Sequence, residues 1–136
     1  MNPALRHRVE HVDTDAAGVM HFSRYASLAE TAVLSFLHHN GTGLDLFQRH
    51  GTELAVTDLH IRYLAPARFR DVVLATTTLE RATAATLRAR ADLARDTGEP
   101  LAVAKLVLCA VDTGTGRAVA LPAQAARSLK GLTADD

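Results

Sequence analysis

A carboxylate, Asp15, stands in the turn-rich segment Asp13-Thr14-Asp15-Ala16-Ala17-Gly18, which has no clear periodicity and lies just ahead of a long apolar run. If that run is a helix, its first N–H groups have no partner inside it and form a ready site for an oxyanion. A carboxylate beside such a site can act as general base or as nucleophile toward a carbonyl. The same residue type before a helix also serves as a cap or turn residue, so the segment taken alone leaves both roles open.

Other chemistries lack their residues. There is no Gly-rich phosphate loop, no G-x-S-x-G elbow and no His/Cys cluster with metal-ligand spacing. The histidines at positions 7, 11, 21, 38, 39, 50 and 60 are scattered. Cys109 sits inside an apolar strand-like run, where a thiol packs rather than reacts. No metal or redox cofactor is implied.

The elements that must position Asp15 follow from periodicity. Leu5 to Val12 reads as a first strand. A helix is predicted from about Ser23, a candidate N-cap, to His39, with Asn40-Gly41 as its stop and His38 and His39 at the negative end of its dipole. Tyr25, Leu28, Ala29, Ala32, Val33 and Phe36 make one stripe, and Ala26, Leu34 and Leu37 extend it. A helix apolar nearly all round is expected to be buried nearly all round. A loop or short helix near Leu44 to His50 comes next. Strands are then predicted at Glu53 to Leu64, Asp71 to Ala82, Thr86 to Ala94 and Leu101 to Val111. The last is apolar on both faces and so expected to be central. Asp112 to Gly116 is a hairpin turn, Arg117 to Leu121 a short return strand, and Pro122 its end. Thr133 to Asp136 is expected to fray. The order is α+β, an antiparallel sheet wrapped around one long buried helix.

The 136 residues fit a single domain, 1–136, and 48% are apolar, enough for one core. Aromatics are only 4% and Trp is absent, so Ala, Val and Leu must build that core. Fifteen basic residues balance fifteen acidic ones, which argues against a nucleic-acid partner. A lone cysteine suits a reducing compartment, no signal peptide is evident, and no run reaches about 18 apolar residues. The expected location is the cytoplasm, with no membrane partner.

DTDAAGV, then HFSRY, then LAETA, resembles the 4-hydroxybenzoyl-CoA thioesterase family of hotdog proteins. It is most similar to the Tol-Pal-associated acyl-CoA thioesterases and the dihydroxynaphthoyl-CoA thioesterases. The likeness continues through Tyr63-Leu64-Ala65-Pro66-Ala67-Arg68, matching a Y-x-A-P-A-R segment, to Ala120-Leu121-Pro122. The resemblance implies hydrolysis of an acyl-CoA with Asp15 as the catalytic aspartate. It implies that the backbone N–H near Phe22 polarises the thioester carbonyl and that Gly18 lets the loop turn beneath the substrate. Tyr25 then packs near the acyl pocket, and Glu30 matches a glutamate frequent on the helix. Family members pair as dimers, with the pantetheine arm between subunits, so a homodimer or homotetramer is expected.

His21-Phe22 departs from the Trp-Tyr, Tyr-His or Tyr-Phe of relatives, which makes His21 either a specificity residue or a helper for water and leaving group. A related group carries its catalytic carboxylate on the helix in an L-A-E-x-A context. Here Glu30 lies roughly 12 Å along the axis at 1.5 Å per residue, so a structural role is expected. Arg81 first, then Arg68, Arg88 and Arg90, are candidates for the phosphates of coenzyme A, since the guanidinium fork suits phosphate. Two alternatives stay open: a carrier-protein thioesterase of a polyketide or fatty-acid route, and a non-catalytic acyl-CoA-binding hotdog. An H-F-P-G-type segment, which would suggest a dehydratase, is absent.

Overall fold

The apolar run after the turn folds as helix α1, Phe22–His39. The computed structural model describes residues 4–133; residues 134–136 of the tail expected to fray lie outside them. Tyr25, Leu28, Ala29, Ala32, Val33, Phe36 and Leu37 are buried, so the predicted stripe is the core face of α1. It ends as a Schellman motif. The N–H of Thr42 reaches the Leu37 carbonyl at 2.9 Å, that of Gly41 reaches His38 at 3.2 Å, and Gly41 takes φ +77°, which glycine adopts without steric cost.

Strands β1 (Leu5–Arg8), β2 (Thr52–Tyr63), β3 (Val72–Ala82), β4 (Thr86–Arg95) and β5 (Pro100–Asp112) form one antiparallel sheet in the order β1-β3-β4-β5-β2. Strand β6 (Ala118–Val119) pairs with Ala110 and Val111 of β5. Period-two alternation decides which face is inside. Leu87, Ala89, Ala91 and Leu93 of β4 are buried, whereas Arg88 between them is exposed. Register shifts at Val56/Asp58 and Leu79/Arg81 mark bulges, which increase twist and bend a strand. The curled sheet packs on α1 through β4, β3, β5 and β1. This is the expected α+β hotdog arrangement, and β5 has strand neighbours on both sides as its apolar pattern required.

Two expectations need correction, and one element had no counterpart in the sequence reading. Helix α1 is not buried all round: Ser23, Glu30 and Thr31 are exposed, and Ala26 and Leu34 are only half-buried. One sheet covers one side of a helix, and among the described residues nothing covers the other. The first strand stops at Arg8 rather than Val12, because His11–Asp13 turns as a 3-10 segment. A terminal helix, α3 (Ala123–Leu132), follows Pro122 and seats Ala125 and Leu129 in the core. The short helix near 44–50 is α2, Leu44–Arg49. No described helix is long and apolar enough to cross a membrane.

Candidate active site

Asp15 opens a tight turn. The Gly18 N–H donates to the Asp15 carbonyl at 3.0 Å, and the Asp15 N–H donates to Val19 at 2.9 Å. Gly18 sits at φ +80°, which a Cβ would disfavour. The Asp15 carboxylate accepts the Ala17 N–H at 2.8 Å and is otherwise exposed. A bridge between Thr14 and Met20 closes the turn, and a second between Val19 and Arg68 docks it on the segment before β3.

The chain then enters α1 through His21, not through Ser23 as predicted. His21 is the N-cap: its Nδ1 accepts the Ser23 N–H at 3.2 Å and pairs with the Ser23 hydroxyl at 2.8 Å. The reason is that the His21 N–H is already tied to the Asp13 carbonyl at 2.8 Å, which sets the helix entry two residues earlier. The Arg24 N–H takes the His21 carbonyl at 2.9 Å. The Phe22 N–H makes no hydrogen bond among the described residues. The imidazole of His21 stacks on the Phe22 ring, with centroids 4.6 Å apart, and the Phe22 side chain is 67% exposed.

Asp15 and Phe22 line one cavity of about 390 Å³ together with Val19, Met20, Tyr25, Tyr63 and the segment Leu64 to Pro66. Its walls are apolar apart from the carboxylate, the two phenols and the helix start. Hydrogen bonds hold the far wall. The Leu64 N–H reaches the Leu101 carbonyl at 2.9 Å. The Ala67 N–H donates to the buried Tyr25 hydroxyl at 2.9 Å, and Arg95 donates to the Pro66 carbonyl at 3.0 Å while also pairing with Asp71 and Glu99. The Tyr63 hydroxyl donates to the Phe22 carbonyl at 3.0 Å and its ring meets Tyr25 edge-on at 5.1 Å. Tyr63 therefore braces the first turn of α1 against β2.

Of the residues singled out from the sequence, Asp15, Phe22 and Tyr25 meet at this cavity, and Gly18 shapes the turn that carries Asp15. His21 stands beside it as cap and stacking partner. Glu30 does not reach it. Glu30 is exposed in a neighbouring groove of about 280 Å³ with Ser23, Ala26, Ser27, Val56, Leu59 and Leu106. Glu30→Gln is accordingly expected to leave kcat within about threefold of wild type if the chemistry sits in the Asp15 cavity, since an exposed carboxylate outside it has no proton to move there. Steady-state kinetics check this, and a thousandfold loss in a folded variant would move the chemistry onto the helix.

The arginines divide. Arg68 is exposed and adjoins the Asp15 turn through Val19. Arg81 and Arg88 face each other across the β3–β4 pair. Their end of the sheet lies roughly 30 Å from Val72 at about 3.3 Å per residue, whereas the Asp15 turn adjoins the Val72 end. One protomer therefore does not bring Arg81 and Arg88 to its own Asp15. Arg90 is committed to Asp92 at 2.9 Å.

Two features escaped the sequence reading. One is the wall formed by Tyr63 to Pro66, whose signal was the Y-x-A-P-A-R likeness without a role attached. The other is Asp13, only 3% exposed. Burial by itself would raise the pKa of its carboxyl. The Glu10 N–H, His7 and Arg24 outweigh that effect and hold it below the ordinary carboxylate range, so it is ionised. Residue type does not distinguish Asp13 from Asp15; the Glu10 N–H, His7 of β1 and Arg24 of α1, all of which converge on Asp13, do.

Comparisons with known proteins bear on the family and the fold. The family model described as the thioesterase-like superfamily matches residues 9–129. The acyl-CoA thioesterase YbgC of Haemophilus influenzae is 31% identical over 116 residues, 85% of each chain. The crystal structure of the hypothetical protein TT1821 from Thermus thermophilus has a TM-score of 0.87 at 30% identity, covering 97% of this chain and 98% of that one. The 1,4-dihydroxy-2-naphthoyl-CoA thioesterase Slr0204 from Synechocystis shares the fold, with a TM-score of 0.82 at 22% identity over 96% of each chain. Matched along most of its length in both sequence and fold, the chain belongs to the thioesterase-like superfamily as a hotdog-fold enzyme.

Proposed function

We propose that this protein hydrolyses acyl-coenzyme A thioesters at the cavity shared by Asp15 and the start of α1. The observation that carries the reading is the pairing, in one apolar cavity, of an exposed carboxylate with a helix N-terminus whose first N–H is uncommitted. The thioester carbonyl lies against the Phe22 N–H. Asp15 takes a proton from water as the water oxygen bonds to the carbonyl carbon. The negative charge that develops on the carbonyl oxygen is held by the amide and the helix dipole. The carbon–sulfur bond then breaks, and the thiolate leaves readily without a strong general acid. The proton on Asp15 returns to solvent or to the thiolate, giving a carboxylic acid and free coenzyme A. Direct attack by Asp15 to give a mixed anhydride uses the same groups.

Support comes from the family match over residues 9–129 and from the acyl-CoA thioesterase named among the relatives. The same match and the single continuous sheet support reading the chain as one domain. The test is turnover against aromatic and aliphatic acyl-CoA thioesters with a carrier-protein thioester beside them. Hydrolysis of at least one acyl-CoA is expected to exceed that of the carrier-protein thioester. The reverse ranking would reassign the thiol carrier, and no turnover of any thioester would sink the reading.

The same reading includes self-association. Strand β2 has no strand on its outer side among the described residues. Leu59, Tyr63 and Leu64 beside it are 41%, 48% and 50% exposed. An open edge next to exposed apolar groups favours pairing with a second copy. A homodimer or larger is expected by light scattering at micromolar concentration; a stable monomer would refute it.

A further inference from the structure

Asp13 makes more structural connections than any neighbour in the loop, and the reaction scheme does not use it. Its Oδ2 accepts the Glu10 N–H at 2.8 Å and lies 2.8 Å from Nε2 of His7. Its Oδ1 accepts from Nε of Arg24 at 2.8 Å. Arg24 is itself oriented along α1, since Nη1 donates to the Ser27 hydroxyl at 2.8 Å. The Asp13 carbonyl accepts the His21 N–H at 2.8 Å, and its own N–H donates to the Glu10 carbonyl at 3.0 Å. One residue therefore joins β1, the 3-10 segment, the N-cap of α1 and the first turn of α1.

The segment from Asp13 to His21 is a loop pinned at its base by that carbonyl bond. Asp15 rides on one limb, two residues beyond the pin. The Phe22 N–H follows immediately after the other end. The separation of carboxylate and amide is set by how firmly the base is held. The other anchors of the Asp15 loop are the Thr14 N–H and hydroxyl on the His11 carbonyl, the Ala17 N–H on the Asp15 carboxylate, the Thr14–Met20 and Val19–Arg68 bridges, and the Met20 N–H on Ala67.

Resting on the reading that Asp15 and the Phe22 amide act together, we propose that Asp13 is a positioning residue of the thioester site, fixing the Asp15 turn and the start of α1 at one working separation through His7, Glu10, Arg24 and His21. A buried carboxylate is suited to this because it offers acceptor sites only, and three donors converge on it. An amide in its place would turn an NH₂ toward one of those donors. The loss would be felt as misplacement, and a displacement of about 1 Å can cost on the order of 10²-fold in rate. An ion cluster that only stabilises the fold would cost melting temperature and leave the folded enzyme's turnover alone, so the two roles separate experimentally.

The experiment measures kcat, KM and a melting curve for Asp13→Asn, in the wild-type background and combined with Asp15→Asn, at a temperature where each variant is folded. The expected result is a kcat lower by roughly 10- to 100-fold with KM within about threefold. In the Asp15→Asn background the same change should cost clearly less, because the group to be positioned no longer acts. A folded Asp13→Asn enzyme with kcat within twofold of wild type overturns the proposal, and so does an equal loss in both backgrounds. Should Asp13→Asn not fold, Arg24→Gln and Arg24→Lys take its place, because Arg24 is part-exposed and removes only one of the donors. A lower kcat in Arg24→Gln with partial rescue in Arg24→Lys is expected, and full activity in both overturns the proposal. Failure of the catalytic reading itself is seen separately, as an Asp15→Asn single variant that keeps its rate.

Discussion

Asp15→Asn is expected to lower kcat by roughly 10²–10⁴, the range for removing a general base, while KM changes little. The substitution keeps the side chain's size and its acceptor oxygen. The 2.8 Å bond to the Ala17 N–H can therefore persist, and so can the turn closed by Gly18. What disappears is the capacity to take a proton from water or to attack the carbonyl. The apolar walls from Tyr25, Tyr63 and Leu64 to Pro66 are untouched, and that is why binding should survive. If Asp15 only shaped the turn, the variant would lose about 1 kcal/mol of stability, as for a lost cap, and keep its rate. Single-turnover hydrolysis and a melting curve on one sample distinguish these. Turnover within tenfold of wild type would defeat the assignment of Asp15.

Leu37→Ala is expected to destabilise the protein by about 2–5 kcal/mol, the cost of a large-to-small change in a packed core. Leu37 is fully buried on the sheet-facing side of α1. The core that Leu37 belongs to is close-packed, so the surrounding side chains relax only partly into the space left. The turn that follows adds to the sensitivity: the Leu37 carbonyl takes both the N–H and the hydroxyl of Thr42, at 2.9 and 3.1 Å. Urea unfolding should show a lower midpoint with an unchanged slope. Leu37 lies roughly 22 Å along the axis from Phe22 at 1.5 Å per residue, so the folded fraction should keep its kcat. Leu44→Ala, at a residue 41% exposed, serves as control and should cost less than half as much. Equal costs for the two would contradict the burial pattern.

Much of the fold is legible along the chain because it depends on local periodicity. The stripe from Tyr25 to Leu37 repeats at helical spacing and is the buried face of α1. The alternation from Leu87 to Leu93 selects the inner face of β4. Asn40-Gly41 ends a helix and Gly18 turns a loop for reasons contained in a few residues each. The likeness around DTDAAGV led to Asp15, and it is Asp15 that lines the cavity with Phe22. Where the reading failed locally, a competing signal was weak or distant. Helix α3 rests on Ala125 and Leu129, two core residues at i and i+4 in an otherwise polar stretch. Ser23 is a better N-cap by type than His21, yet the Asp13 carbonyl takes the His21 N–H and starts the helix earlier.

The remaining features depend on contacts between different elements, which periodicity within a single element does not encode. Asp13 and Asp15 are the same residue type two positions apart. One is buried and ionised between His7 and Arg24, and the other is exposed at the cavity, because β1 runs beside the first of them. The cavity wall is complete only when β2 brings Tyr63 onto the Phe22 carbonyl and when the Tyr25 hydroxyl catches the Ala67 N–H. The open side of α1 likewise follows from how far one sheet can wrap, a property of its curvature and width rather than of the helix. Composition and spacing set what each segment can be; hydrogen bonds and burial set which carboxylate faces the cavity, since desolvation and pairing act only between groups that the fold has brought together.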